Sequence, residues 1–241
     1  MRIAVDFGNS RIKLALFQDG SYVPAKESTI NYEQSFEETF LNAYADIPCI
    51  YAAVRLDADK IEWLKNRFTC YQLSHRSKLP FELDYRTPET LGVDRIAACA
   101  GAFMHAEAPF LVIDSGTCIT FDLVDEKYVY RGGAISPGIS MRLRAMHEFT
   151  DALPKLDVLS ESFLQNSLGK DTASCMISAA VNGTTYELDG FIRALGQGSA
   201  LKTVVTGAWA EDLANKLENT TFVAPNLVLP GLIKILELNE L

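Results

Sequence analysis

Two short turns of the sequence combine an aspartate, a glycine and a small polar residue. They are Asp6-Phe7-Gly8-Asn9 and Asp114-Ser115-Gly116-Thr117, and each follows an apolar run. Glycine in such a turn lets the backbone approach a phosphate, Asn or Thr adds a hydrogen bond, and an aspartate at a strand end can hold a hydrated cation. One such turn would usually reflect ordinary turn chemistry. Two at equivalent positions of a repeat predict a pair of phosphate-binding turns.

Lys13 follows the first of these turns on the predicted returning strand. Its ammonium group could reach phosphate oxygens while the backbone of the turn binds the others. Alone it would be a solvated strand lysine, but the neighbouring Asp6 turn favours the binding role. The chain has neither GxGxxG after its first strand nor GxxxxGKS/T, so Rossmann and P-loop binding modes are not expected.

A third feature is an Asp-Arg pair at the predicted start of a helix, Asp94-Arg95 after Gly92-Val93. An aspartate in a first helical turn is often only a capping or dipole-compensating residue, because the helix N-terminus favours a carboxylate. The same pair, with Gly92 leaving room for a ligand, also suits a general base beside a cation that binds a polar substrate.

The elements that would position these residues alternate between strands and helices. The first half is predicted to contain strands at 3–6, 12–17 and 50–54 and helices at 33–44, 59–68 and 93–105. The second half is predicted to contain strands at 110–114, 118–124, 128–131, 203–206 and near 222, and helices at 140–148, 171–195, 210–217 and 227–238. We expect the alanine-rich helix 93–105 to be buried between layers.

The two Asp-Gly turns lie about 108 residues apart, each at the head of its half of the chain. This spacing indicates an internal repeat. We therefore predict two α/β domains, residues 1–105 and 106–241, since 241 residues can form two cores.

Composition narrows the classes of partner. The 22 basic and 31 acidic residues give a net charge of −9, which disfavours nucleic acids and anionic membrane surfaces. No signal peptide or long apolar span is recognisable, so a cytoplasmic location is the expectation. The five cysteines have no CxxC spacing, and we interpret them as reduced core residues.

Four segments together resemble the type III pantothenate kinases from end to end. They are Asp6-Phe7-Gly8-Asn9-Ser10-Arg11-Ile12-Lys13, Thr87-Pro88-Glu89-Thr90-Leu91-Gly92-Val93-Asp94-Arg95, Asp114-Ser115-Gly116-Thr117 and Gly132-Gly133-Ala134-Ile135-Ser136-Pro137-Gly138. The second is the most specific, whereas the Asp-Gly turns alone would indicate only the wider superfamily of acetate kinase, sugar kinases, Hsp70 and actin.

The resemblance implies two ribonuclease H-like, actin/Hsp70-type domains related by the repeat, with an ATP cleft between them. It implies transfer of phosphate from ATP to pantothenate, giving 4′-phosphopantothenate in the first step of coenzyme A biosynthesis. It also implies Mg²⁺, a monovalent cation (K⁺ or NH₄⁺) and a homodimer. The helix 93–105 is a candidate for the dimer interface.

The same resemblance assigns roles to individual residues. Asp94 would be the general base, and Asp114 would bind the monovalent cation. ATP would be bound by Asp6, Phe7, Gly8, Asn9, Ser10, Arg11, Ile12, Lys13 and Thr117. Pantothenate would be bound by Tyr85, Gly92, Val93, Asp94, Arg95 and Thr172.

Three positions depart from the family pattern, namely Ser10 for Thr, Cys118 for Ala and Asp171 for Asn. Asp171 adds a negative charge near the place expected for an anionic substrate, which puts the role of Thr172 in doubt. Two alternatives remain open: another small-alcohol or acid kinase of the superfamily, and an ATP-binding regulatory or accessory protein of the same fold. The Asp94-Arg95 pair favours an enzyme, because a nucleotide sensor needs no such base.

Overall fold

A computed structural model describes residues 1–164, 167–196, 201–218 and 221–239. Within these ranges the strands are β1 Arg2–Phe7, β2 Ile12–Phe17, β3 Pro24–Ile30, β4 Pro48–Ala53, β5 Thr69–Gln72, β6 Glu82–Leu83, β7 Phe110–Ser115, β8 Cys118–Val124, β9 Val129–Pro137, β10 Lys202–Gly207 and β11 Thr221–Val223. The α-helices are α1 Ala58–Arg67, α2 Val93–Ala102, α3 Ile139–Glu148, α4 Thr172–Gly196, α5 Ala210–Ala214 and α6 Val228–Asn239.

The chain forms two compact units. The first contains Met1–His105, Val124–Gly132 and Asn226–Leu241, and the second contains Ala106–Leu123 and Gly133–Pro225. Two later segments, one of which includes α6, therefore belong to the first unit. These two units are defined by spatial compactness, whereas the predicted domains were defined by the repeat in the sequence. The division into domains 1–105 and 106–241 therefore stays a prediction.

The sheet of the first unit has the order β3-β2-β1-β4-β5. The central strand β1 pairs antiparallel with β2 and parallel with β4. Its residues Ile3 to Phe7 are buried, as expected for a strand that is covered on both faces. The core of this unit forms around Val5, Phe7, Leu14 and Tyr51.

The second sheet repeats this order. Its strands run β11-β10-β7-β8-β9, followed by the short β6, which pairs with Val129 and Tyr130 of β9. If β7 to β11 are numbered 1 to 5, the second sheet read from β9 to β11 has the order 3-2-1-4-5, as the first sheet does. In both sheets the first strand is central and parallel to the fourth. The second unit has its own core around Ile113, Phe121, Leu143 and Val205. The predicted α/β class and internal repeat are thus confirmed.

Helix α2 is buried along residues 95 to 102, which confirms its predicted burial. It packs on α6, and glycines make the approach close. A Cβ on Gly101 would collide with the Leu227 carbonyl, and a Cβ on Gly231 would collide with the Ala97 carbonyl. Because α6 covers this face, the suggestion that α2 supplies a dimer interface is not supported.

The predicted helix over 33–44 is wrong. Two short 3₁₀ helices, Phe36–Glu38 and Phe40–Ala43, occupy this stretch. Thr39 between them is extended, its hydroxyl donates to the Phe36 carbonyl (2.7 Å), and it accepts from the Leu41 N–H (3.2 Å). Thr39 therefore ends one turn and caps the next, which prevents a continuous helix.

Strands β3, β5 and β6 were not predicted. β3 and β5 are the two edges of the first sheet, and β3 is mostly exposed. An edge strand with polar side chains lacks the apolar alternation that identifies a strand.

No helix in the described ranges combines the length and apolar character that crossing a bilayer would require.

Candidate active site

The first Asp-Gly turn connects β1 to β2 in the first unit. The Gly8 N–H donates to the Arg11 carbonyl (3.1 Å) and closes the turn. Asp6 and Lys13 are direct partners in the antiparallel ladder, so their side chains extend from the same face of the sheet. Asp6 is only 6% exposed. The structure therefore brings together a buried carboxylate, a cation and a glycine turn, as the sequence predicted.

Tyr32 stabilises this turn and was not identified from the sequence. Its hydroxyl donates to the Gly8 carbonyl (2.5 Å), and its own carbonyl accepts from Lys60 Nζ (2.6 Å). Burial raises the pKa of Tyr32, and the charge of Asp6 raises it further while Arg55 opposes the shift. The phenol is thus a neutral donor at ordinary pH. Because 24 residues separate Tyr32 from Gly8, local spacing gave no signal for this contact.

The Asp-Arg pair lies in the first turn of α2, as predicted. Asp94 Oδ1 accepts the N–H of Arg95 (2.9 Å), and the Arg95 side chain is buried. A Cβ built on Gly92 would lie 2.5 Å from Asp94 Oδ1. Gly92 therefore makes room for the Asp94 carboxylate itself, whereas the sequence had suggested room for a ligand.

Tyr85 follows β6 and is half-buried. Its ring packs against Tyr130 of β9, with centroids 6.0 Å apart, and its edge lies 3.9 Å from the position of a Cβ on Gly132. Arg131 of β9 forms ion pairs with Asp84 (2.7 Å), which directly precedes Tyr85, and with Asp125 (2.6 Å). One edge of the Tyr85 ring is thus held by β9.

The second Asp-Gly turn connects β7 to β8 in the second unit. The Gly116 N–H donates to the Cys118 carbonyl (3.0 Å), and the Gly138 N–H donates to the Thr117 carbonyl (3.1 Å). The two turns are thus built alike, since each begins with a glycine N–H bonded to a carbonyl two or three residues ahead. Gly138, at the end of the glycine-rich segment, lacks room for any side chain against this turn.

Gly207 closes the other side of the second turn. Its φ is +97°, a conformation that glycine adopts readily. A Cβ there would lie 2.5 Å from the Ser115 carbonyl oxygen and 2.6 Å from Asp114 Oδ1. Two hard oxygen atoms therefore converge near Gly207, a donor type that suits alkali and alkaline-earth cations.

Thr172 is the first residue of α4 and is exposed. The preceding Asp171 accepts the N–H of Ser174 (2.8 Å), and Ser174 Oγ accepts the Asp171 N–H (3.1 Å). These bonds with Ser174 hold the pKa of Asp171 below its usual value. The departure from Asn at this position thus has a structural role, because Asp171 caps α4.

Among the residues that the structure describes, no group of three or more His, Cys, Asp or Glu side chains is arranged to hold a metal ion. Any cation at Asp114 would therefore need backbone oxygens or substrate oxygens to complete its ligands.

Two sheets of the same strand order, each with an Asp-Gly turn after its central strand, form the fold that is shared by sugar kinases, Hsp70 and actin. Solved structures agree with this fold. A chain described as a 2-dehydro-3-deoxygalactonokinase from Sinorhizobium meliloti superimposes with a TM-score of 0.59 at 15% identity, covering 98% of this chain and 96% of that one. A chain described as a conserved Baf family transcriptional activator from Campylobacter jejuni gives 0.62 at 24%, covering 98% of both.

Sequence comparison is more specific. The family model for type III pantothenate kinase matches residues 2–194. A type III pantothenate kinase of Flavobacterium psychrophilum is 38% identical over 237 residues, which cover 96% of this chain and 97% of the relative. The chain belongs to the type III pantothenate kinase family.

Proposed function

We propose that the protein is an ATP-dependent pantothenate kinase, which transfers the γ-phosphoryl group of ATP to the primary hydroxyl of pantothenate. The product, 4′-phosphopantothenate, would begin coenzyme A biosynthesis. The observation that carries this proposal is the family match over residues 2–194, joined by relatives that align over nearly the whole chain.

For ATP, we propose that residues 6 to 13 bind the phosphates and that Thr117 contacts the nucleotide. The first turn suits this role because Gly8 has no side chain to obstruct a phosphate and Lys13 lies directly opposite Asp6 in the ladder. A lysine at this place can neutralise charge on the β- and γ-phosphates. In the second turn Thr117 follows Gly116, and the Gly138 N–H donates a hydrogen bond to the Thr117 carbonyl.

For pantothenate, we propose contacts with Tyr85, with the start of α2 and with Thr172. Asp94 would be the general base, and Gly92, Val93 and Arg95 would line the substrate beside it. The Arg95 N–H donates to Asp94 Oδ1 (2.9 Å) and so helps to orient this carboxylate. The N-terminal end of α2 also favours the ionised form of this carboxylate.

The reaction then requires alignment and charge neutralisation more than covalent chemistry. The transition state of phosphoryl transfer is loose, so the attacking hydroxyl keeps its proton until late. Asp94 accepts that proton, while Lys13 and the N–H groups of the first turn stabilise charge on the transferred group. Mg²⁺ bound to ATP would supply further positive charge, and its protein ligands would come from Asp6 and other acidic oxygens.

We further propose a monovalent cation, K⁺ or NH₄⁺, at Asp114, supported by the oxygen atoms of Asp114 and Ser115 that converge near Gly207. A homodimer and a cytoplasmic location are proposed on family resemblance. Sedimentation velocity tests the dimer, and a comparison of turnover with K⁺, NH₄⁺ and Na⁺ tests the cation.

The function is tested by incubating the purified protein with ATP, Mg²⁺, K⁺ and pantothenate. ADP release should depend on pantothenate, and mass spectrometry should detect phosphopantothenate in equal amount. ADP release that is independent of pantothenate, or that occurs only with a sugar or acetate, would reject the proposal.

A further inference from the structure

Arg55 lies just beyond the end of β4, and its backbone is fixed against β1. The N–H groups of Val54 and Arg55 both donate to the Phe7 carbonyl, at 3.0 and 3.3 Å. Phe7 is the last residue of β1 and immediately precedes Gly8. The backbone of Arg55 is therefore anchored beside the first Asp-Gly turn.

The Arg55 side chain is also held close to this turn. Its guanidinium carbon lies 3.9 Å from the centre of the Tyr32 ring, a close cation-π distance. The Tyr32 hydroxyl donates to the Gly8 carbonyl (2.5 Å). One aromatic ring thus connects the guanidinium to the backbone of the turn.

The charge of Arg55 is available to a ligand. The residue is exposed, and across the ranges that the structure describes it forms no ion pair with a carboxylate. Asp57, the neighbouring acid, is instead bonded to Lys60 (3.1 Å) and caps α1. A guanidinium whose face rests on a ring keeps the N–H donors along its edges free for an oxyanion.

From this geometry we propose that Arg55 is a substrate-binding residue that donates hydrogen bonds to an oxyanion bound beside the Gly8 turn. The oxyanion is a phosphate group of ATP or the carboxylate of pantothenate. Both groups present a pair of oxygen atoms that a guanidinium can bind with two N–H groups. Tyr32 supports Arg55 and stabilises the turn at the same time. This inference builds on the proposed kinase function.

The test compares Arg55→Met and Arg55→Lys with the unaltered enzyme. Because hydrogen bonds to charged groups contribute enough for roughly tenfold or more in affinity, Arg55→Met should raise one KM by about tenfold and change kcat less. Arg55→Lys should restore part of the loss. A rise in KM for ATP identifies a phosphate, and a rise in KM for pantothenate identifies the carboxylate.

Pantothenol provides an independent check of the carboxylate, because it carries a hydroxyl in its place. If Arg55 binds the carboxylate, the effect of Arg55→Met should disappear with pantothenol as acceptor. Lys26→Met is the matched control, since Lys26 is an exposed cation over the Tyr44 ring in the same unit. It should leave both KM values unchanged.

Unchanged KM values for both substrates in Arg55→Met, with an unaltered melting temperature, would overturn the inference. Should the wild-type protein not phosphorylate pantothenate, the proposed function fails. Calorimetric titration of wild type and Arg55→Met with ATP and with pantothenate would still decide the role of Arg55. Equal affinities of the two proteins for both ligands would then refute it.

Discussion

The position of the Cβ that Gly92 lacks is 2.5 Å from Oδ1 of Asp94. A carbon and a non-bonded oxygen do not pack that closely, so any side chain at residue 92 must displace the carboxylate. Oδ1 is the far end of a flexible side chain, and the displacement therefore costs little folding free energy. The displacement instead changes the position of the proposed base, which is held by a hydrogen bond from the Arg95 N–H.

Gly92→Ala should accordingly lower kcat by roughly 10- to 100-fold, as expected when a catalytic group moves by a fraction of an ångström to an ångström. The melting temperature should change little. Gly190→Ala is the control. A Cβ at this position inside α4 meets no atom within 4 Å, and a helix interior tolerates alanine better than glycine. Wild-type turnover by Gly92→Ala would show that the Asp94 position is not critical.

Asp94→Asn should lower kcat by about 100-fold or more, the usual contribution of a positioned general base, with a smaller effect on either KM. Asp59→Asn is a matched control, since Asp59 is likewise the second residue of its helix, α1, and is exposed. Steady-state kinetics and circular dichroism of both variants test this. Normal turnover by a folded Asp94→Asn enzyme would remove Asp94 from the mechanism.

Asp171→Ala should lower the melting temperature at neutral pH, because it removes the acceptor of the Ser174 N–H at the start of α4. Asp171→Asn should lower it less, since Asn also caps helices well. Differential scanning calorimetry of the three proteins measures the order. Equal melting temperatures for Asp171→Ala and wild type would mean that this cap is not stabilising.

The same carboxylate gives a pH dependence of defined sign. Bonds with Ser174 lower the folded-state pKa of Asp171 below 3.8, so its stabilisation is fully present above that unfolded value. It is lost as pH falls through the lower folded value. The difference in melting temperature between wild type and Asp171→Ala should therefore shrink as the pH falls below 3.8. A difference that grows on acidification would contradict this assignment.

Cys70 should be alkylated by iodoacetamide much faster than Cys49, its direct partner on the neighbouring strand. The neighbouring Cys49 thiol lowers the pKa of Cys70 below 9.0, burial opposes the shift, and the charge of Lys65 supports it. The neighbouring Cys70 and full burial raise the pKa of Cys49. Cys70 also borders a surface cavity of about 620 Å³ that gives a reagent access.

Peptide mass spectrometry can separate these thiols from the exposed Cys175. Cys49→Ala should slow the alkylation of Cys70 at neutral pH, because the neighbouring thiol that favours the Cys70 thiolate is gone. Equal reactivity of Cys49 and Cys70 in the folded protein would disprove the assignment. The expectation that all five cysteines are core residues was wrong, since only Cys49 and Cys99 are buried.

Much of the fold followed from local pattern. Alternating apolar residues and an Asp-Gly turn predicted β1 and β2, and the same pattern 108 residues later predicted β7 and β8. Side-chain alternation and turn chemistry depend on near neighbours in the chain, so the sequence alone is enough for them. The family assignment followed similarly from short segments, of which residues 87–95 were the most specific.

The failures share a physical cause. The spacing of Phe36, Phe40 and Tyr44 satisfied a helical period, yet the hydroxyl of Thr39 bonded to the backbone and divided the segment. The edge strand β3 is largely polar and forms because β2 offers a free edge for pairing. Competition between local and tertiary hydrogen bonds is not encoded in hydrophobic periodicity.

The sequence by itself determined the class of fold, the family and the residues of the two Asp-Gly turns and the Asp-Arg pair. Tertiary structure alone decided that Gly92 clears the Asp94 carboxylate, that Tyr32 binds the Gly8 carbonyl, that Arg55 lies over Tyr32, and that α6 covers α2. Apart from the Gly92 clearance, these contacts join residues far apart in the chain. Even that clearance depends on the three-dimensional path of the backbone, because excluded volume acts through space and not along the sequence.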